Sequence, residues 1–291
     1  MYKVYLKYLI LYALITSADG IEISLQGFIP PRVSETNFIV EYKKIYATLD
    51  PHGRIDPSPI NIVFFTEKGI NKKQYSLPEW GGGGAIGLNT IIVRIDKKPF
   101  LNQDIYQTAV HELVHIALNR MTKGIILPRW FHEGIALTLS GETSTEESIV
   151  ISKALFTGSL IDLHDIDSVN NYGRFKAELS YCQSRQAILY LVDTYGLEVL
   201  SEIIMEVKKR KNFWDGIYEV LHVTEKEFEF FYRKYILDHH GKLYWLIDTY
   251  IIWSIIVLLF IIGFSLTIYR RKRKLRLLEI ESEKESAPDD T

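Results

Sequence analysis

Two histidines and two glutamates carry the clearest chemical signal in the sequence. His111 and His115 flank Glu112 in a His-Glu-Leu-Val-His segment, and Glu133 follows in a Trp-Phe-His-Glu-Gly-Ile-Ala segment. Residues four positions apart share one face of a helix, so the two imidazoles can bind the same metal ion. With Glu133 as third ligand, a tetrahedral zinc ion keeps one open position, as catalytic zinc sites do. The spacing therefore predicts one catalytic Zn²⁺ per chain.

Two helices are needed to position these side chains. Asp104 can cap a first helix over residues 105–120, whose wide apolar stripe runs beside both histidines. A second helix, over residues 128–139, presents the third ligand. Gly134 costs such a helix about 1 kcal/mol relative to alanine, which suggests that another backbone or a substrate approaches closely there. Glu112 lies one position after the first ligand, so it can face a metal-bound water as the general base.

The two segments resemble the motifs of the glutamate-zincin (gluzincin) metallopeptidases, and most of all those of peptidase-MA-like domains. More weakly, the resemblance extends over residues 60–238. It implies zinc-dependent hydrolysis of peptide bonds, with His111, His115 and Glu133 as ligands and Glu112 as general base. The sequence contains no Gly-Ala-Met-Glu-Asn segment of the exopeptidase type, which favours an endopeptidase. The alternative is a catalytically inactive, membrane-tethered binding or assembly protein on a peptidase fold.

Peptide hydrolysis usually needs a further group that stabilises the oxyanion of the tetrahedral intermediate. Related enzymes use a tyrosine or histidine from a downstream helix, so the resemblance points to Tyr181 as a second catalytic residue. Tyr172, His132 and His164 are the alternatives.

The glycine run at residues 81–84 is predicted to be a flexible turn that presents an edge strand over residues 91–95. An extended peptide can pair with such a strand through backbone hydrogen bonds, so Gly83, Gly84 and Ala85 are the predicted substrate-binding residues. The run lacks the lysine and the spacing of a phosphate-binding loop. An ordinary loop is the alternative.

Strand-like runs precede the predicted helix at residues 105–120, and helical patterns follow it. The strand-like runs are residues 21–28, 38–49 (which could equally be helix), 60–66 and 91–95. The later helical segments are residues 178–195, 197–211 and 225–238. This order predicts an α+β class. The expected fold is a zincin-like domain with a small mixed sheet before a helical half, plus one C-terminal transmembrane helix.

Two apolar segments predict a single-pass membrane protein with an extracytoplasmic catalytic domain. Residues 1–20 have the basic start and short apolar run of a signal peptide. Residues 250–269 are uncharged and long enough to cross a bilayer core of about 30 Å. The basic run at residues 270–274 marks the cytoplasmic side. The predicted domains are a signal peptide (1–20), a metallopeptidase-like domain (21–242), a transmembrane helix (243–269) and a basic stop-transfer segment with a disordered cytoplasmic tail (270–291).

Composition narrows the function classes further. A formal net charge of −2 over 291 residues gives no electrostatic case for binding nucleic acid. The single cysteine, Cys182, excludes an intrachain disulfide framework. The expected partners are a peptide or protein substrate and the membrane.

Overall fold

A computed structural model describes residues 20–31, 33–66, 82–96, 104–141, 146–171, 173–241 and 249–285. Within these ranges a four-stranded sheet comes first and helices follow, which confirms the predicted α+β class. The predicted signal peptide, apart from Gly20, lies outside the described residues.

The sheet is small and mixed. Its strands are β1 (Ile23–Gly27), β2 (Ile60–Phe65), β3 (Gly83–Ile86) and β4 (Thr90–Arg94). Their spatial order is β1-β2-β4-β3. β1, β2 and β4 are parallel, whereas β3 pairs antiparallel with β4.

The predicted edge strand was wrong. Thr90–Arg94 lies between β2 and β3, and the edge is formed by Gly83–Ile86, which includes half of the glycine run. The reason is burial: Ile91, Ile92 and Val93 are all buried, and an unbroken apolar run is typical of a strand covered on both faces. The turn between β3 and β4 contains Gly87, where φ is 65°, and not the glycine run.

Nine α-helices surround the sheet or follow it in the described residues. They are α1 (Glu35–Leu49), α2 (Ile105–Thr122), α3 (Arg129–Leu139), α4 (Glu147–Thr157), α5 (Arg174–Tyr195), α6 (Val199–Arg210), α7 (Phe213–Leu221), α8 (Glu225–His240) and α9 (Thr249–Glu285). A 3-10 helix, Leu163–Asn171, connects α4 to α5. The ambiguous segment at residues 38–49 is helix α1, because Phe38, Tyr42, Ile45 and Leu49 repeat at helical spacing and are all buried.

The two halves of the domain meet at α2. One side of α2 packs on β3 and β4, and it also contacts α1, α3 and α6. Arg120, near the end of α2, is buried and donates hydrogen bonds to the carbonyls of Leu88, Ser58 and Pro59 and to the hydroxyl of Tyr42. These bonds hold α2 in a fixed register against the loops of the sheet.

The C-terminal helix α9 contains Ile252–Leu278, which is long and apolar enough to cross a membrane by length and composition. Residues 275–285 of the tail that was predicted to be disordered lie in α9, which ends at Glu285. This stretch is rich in leucine, arginine, lysine and glutamate, all strong helix formers.

Candidate metal centre

Helix α2 presents His111 and His115 from its buried middle. Its start is defined by a capping box, in which the Asp104 side chain caps the backbone and the Gln107 side chain accepts a hydrogen bond from the Asp104 N–H. Both histidines are at most 9% exposed. Both imidazoles face Glu133 of α3.

Three donor atoms converge between α2 and α3. The Nε2 atoms of His111 and His115 are 3.0 Å apart, and Oε2 of Glu133 lies 3.3 Å and 3.4 Å from them. A tetrahedral zinc ion with ligand bonds of about 2.0–2.1 Å needs donor separations of about 3.3–3.4 Å. All three residues are buried, and each belongs to a residue type that commonly binds metal ions. The donor set therefore fits a tetrahedral metal ion with three protein ligands.

Glu133 offers only one of its oxygens to this group. The other oxygen, Oε1, lies 3.2 Å from Nη2 of Arg129, one turn earlier in α3. Burial alone would raise the pKa of the Glu133 carboxyl, but His115 and His111 hold that pKa well below its usual range. The carboxylate is therefore ionised and is held in a geometry that suits a monodentate ligand.

Helix α3 is anchored at its start, immediately before Glu133. Trp130 is fully buried, with ring centroids 5.3 Å from Phe228 and 5.7 Å from Phe213. The backbone N–H of Arg129 donates to Oδ1 of Asp167 at 2.7 Å, which satisfies one of the exposed donors at the helix start. The aromatic residues before Glu133 thus fix the helix that carries it.

The close approach inferred at Gly134 is that of a backbone, from helix α5. A Cβ at Gly134 would lie 2.3 Å from the carbonyl oxygen of Ser184 and 2.6 Å from Cγ1 of Ile188. No residue larger than glycine fits at this crossing without moving one of the helices. The crossing brings Tyr181, one turn before Ser184, towards Glu133.

Tyr181 belongs to the same cluster. Its hydroxyl oxygen accepts a hydrogen bond from the guanidinium of Arg129. The negative charges of Glu133 and Glu112 also affect the pKa of this hydroxyl. Burial, and secondarily the charge of Glu133, raise the pKa of Tyr181, so the phenol is protonated at neutral pH. It is thus a hydrogen-bond donor beside the three converging atoms.

The alternatives to Tyr181 are placed differently. His132 lies behind His115, with Nδ1 of each ring 2.6 Å apart and Nε2 of His132 3.2 Å from Oδ1 of Asn119. Burial and the neighbouring His115 lower the pKa of His132 to about 3, so this ring is neutral. His164 is exposed in the 3-10 helix, and Tyr172 lies outside the described residues.

Glu112 points towards the edge strand. A Cβ on Gly83 would lie 3.1 Å from Cγ of Glu112 and 3.0 Å from Cγ2 of Thr108. Strand β3 and helix α2 are therefore in contact at the predicted general base. A side chain at position 83 would require its neighbours to shift by a few tenths of an ångström, and Gly84 and Ala85 continue the same edge strand.

We expect Gly83→Ala to lower kcat by about 10- to 100-fold with zinc content unchanged, because the added methyl group displaces Glu112 but none of the converging donor atoms. Peptide hydrolysis and metal analysis of the same purified sample measure both effects. Gly173→Ala is the matched control, since a Cβ there meets no atom within 4 Å. Equal activity of the Gly83→Ala and Gly173→Ala variants would contradict the placement of Glu112.

Three residues support the predicted ligands: Arg129 and Asn119 had no predicted part in the site, and His132 was named only as an alternative oxyanion donor. Arg129 holds the second oxygen of Glu133, and His132 together with Asn119 supports His115. Spacing was an available signal for Arg129, which lies four positions before Glu133 on the same helix, whereas Asn119 acts on His115 only through His132.

The fold and the converging residues define the class of protein: a mixed α+β domain with a buried His-His-Glu group suited to one metal ion. The chain belongs to the Peptidase MA superfamily, whose family model matches residues 50–237, more than half of the chain. This confirms the family expected from the two motifs. The uncharacterized protein YhcO of Bacillus subtilis strain 168 is 25% identical over 197 residues, covering 62% of this chain and 59% of YhcO. The chain thus matches less than two thirds of that relative's length.

Proposed function

We propose that this protein is a membrane-anchored, zinc-dependent metallopeptidase that acts as an endopeptidase. The observation that supports it most is the convergence of His111, His115 and Glu133, whose donor atoms are 3.0–3.4 Å apart. Membership of the Peptidase MA superfamily supports the same reaction class. In this proposal the three side chains bind one Zn²⁺.

Each neighbouring residue then has a distinct part in hydrolysis. Zinc bound there would act as a Lewis acid on the scissile carbonyl, and it would lower the pKa of water to near neutrality. Glu112 takes a proton from the attacking water and transfers it to the departing amine. Tyr181, protonated because its pKa is raised by burial, donates a hydrogen bond to the developing oxyanion. Arg129 keeps Glu133 oriented through Oε1.

The edge strand supplies the substrate-binding surface. Strand β3 pairs with β4 on one side, and in this proposal an extended peptide pairs with its other side. Gly83, Gly84 and Ala85 would pair with the substrate backbone beside Glu112. Binding through the backbone of an extended segment suits cleavage within a chain, so the substrate is a peptide or an unfolded protein segment.

Helix α9 anchors this domain to the membrane in the proposed topology. The uncharged residues 250–269, within the apolar part of α9, span the bilayer once, and the basic run at residues 270–274 stays on the cytoplasmic side. The catalytic domain is then extracytoplasmic and the C-terminus cytoplasmic.

The test is hydrolysis of a degenerate peptide library by the detergent-solubilised full chain, followed by mass spectrometry. We expect internal cleavages that stop when a chelator removes the metal and resume when zinc is restored. A library left intact by the zinc-loaded protein would contradict the proposal. In its place would stand the membrane-tethered binding or assembly protein.

Tyr181→Phe removes only the hydroxyl group from the helix that crosses α3. We expect kcat to fall by about 100-fold, because a single oxyanion donor contributes about 10²–10³ in rate. Zinc content should stay at the wild-type value, since Tyr181 is not among the three converging donors. Steady-state kinetics on a peptide cleaved by the wild type measure the effect. An unchanged kcat would exclude Tyr181 as the oxyanion donor.

A further inference from the structure

A row of polar side chains extends from His115 away from the converging donor atoms. The rings of His115 and His132 are nearly parallel at 16°, with centroids 4.6 Å apart and Nδ1 atoms 2.6 Å apart. On its other side, His132 places Nε2 3.2 Å from Oδ1 of Asn119. Asn119 lies one turn after His115, so helix α2 carries both ends of the row and α3 carries its middle.

Metal binding permits only one arrangement of hydrogens along this row. When His115 offers the lone pair of Nε2 to a metal, its Nδ1 carries the hydrogen and can only donate. Nδ1 of His132 must then accept, which places the hydrogen of His132 on Nε2. That hydrogen points at Oδ1 of Asn119, which accepts. In the opposite arrangement Nε2 of His115 carries a hydrogen, which blocks metal binding.

We infer that His132 and Asn119 are positioning residues that hold His115 in the tautomer and ring orientation needed to bind the metal. The inference rests on the proposed metal site and assigns neither residue a contact with metal or substrate. Histidine ligands of metals usually donate their second N–H to a carboxylate, a carbonyl or water, and such partners affect metal affinity by about 10- to 100-fold. Here a neutral imidazole and an amide do this, so no further negative charge is added beside Glu112 and Glu133.

Paired substitutions separate this function from simple packing. His132→Gln can still accept from Nδ1 of His115 and donate to Asn119, whereas His132→Leu can do neither. Asn119→Asp retains the acceptor at the end of the row, whereas Asn119→Leu removes it. His52→Leu removes an exposed histidine in a loop and is the control.

The measurement is the Kd for zinc of the full chain in detergent, by competition with a chelator, together with the melting temperature of the metal-free protein. We expect His132→Leu and Asn119→Leu to bind zinc about 10- to 100-fold more weakly. His132→Gln and Asn119→Asp should stay within a few-fold of the wild type, as should His52→Leu. The melting temperature of the metal-free protein should not separate the two leucine variants from the two conservative variants in the way that the zinc Kd does.

Three results would overturn the inference. One is a zinc Kd of His132→Leu and Asn119→Leu within twofold of the wild type. Another is a loss of affinity that is equal in each conservative variant and its leucine partner, since that indicates packing alone. If His132→Leu does not fold, the Asn119 pair decides the question. A wild-type chain that binds no zinc would instead refute the metal site itself, together with the inference that rests on it.

Discussion

Glu112→Gln is expected to reduce kcat by about 10²- to 10⁴-fold while the protein keeps its metal. The side chain packs against edge strand β3, one position after His111, and it is not among the three donor atoms that converge. Glutamine has nearly the same shape but cannot accept a proton from water. The proposed catalytic step would therefore lose its base, whereas zinc binding by the three converging side chains should be unaffected.

The measurement pairs steady-state kinetics with zinc analysis of the same preparation. Glu225→Gln, an exposed change in the first turn of α8, is the matched control and should retain wild-type kinetics. An active Glu112→Gln variant would remove this residue from the mechanism. A variant that loses zinc would mean that Glu112 acts as a ligand.

Gly134→Ala is expected to disrupt the crossing of α3 and α5. The new Cβ would lie 2.3 Å from the carbonyl oxygen of Ser184, a backbone atom that cannot rotate away. Alanine favours a helix by about 1 kcal/mol over glycine, but overpacking of this kind costs about 1–3 kcal/mol and often more against backbone. The steric cost therefore exceeds the gain in helix propensity. Because Glu133 is the neighbouring residue, separation of the helices also moves this proposed metal ligand away from the histidines.

For a domain of this size, we expect a melting temperature lower by roughly 4–10 °C and a weaker affinity for zinc. Thermal denaturation of the full chain with and without zinc measures both. Gly263→Ala makes the same change within a helix where a Cβ meets no atom within 4 Å, and it should leave both quantities unaltered. If Gly134→Ala were as stable as Gly263→Ala, the α3–α5 crossing would not depend on glycine.

The arrangement of the metal centre was largely predictable because its information is local. Two histidines four positions apart must share a helix face, and the capped start at Asp104 was visible in the sequence. Gly134 signalled a close approach, although the sequence did not identify the partner as the α5 backbone. His132 was harder to interpret, because its importance depends on the side chain of His115 that it meets across α2 and α3.

The order of the strands was not predictable from local patterns. Both Gly83–Ile86 and Thr90–Arg94 lie before α2, and the choice of edge depends on pairing with β2, which is distant in sequence. Helix α4 was also missed, since its sequence is rich in isoleucine, valine and serine, which have low helix propensity. Packing against α5 and α8 stabilises it instead.

The central claim is that His111, His115 and Glu133 bind one metal ion, and elemental analysis tests it most directly. The purified full chain should contain close to one zinc per chain, and the His115→Ala variant should contain almost none. This measurement does not depend on knowing the substrate. A wild-type protein that is folded but takes up no metal, even when zinc is supplied, would contradict the account.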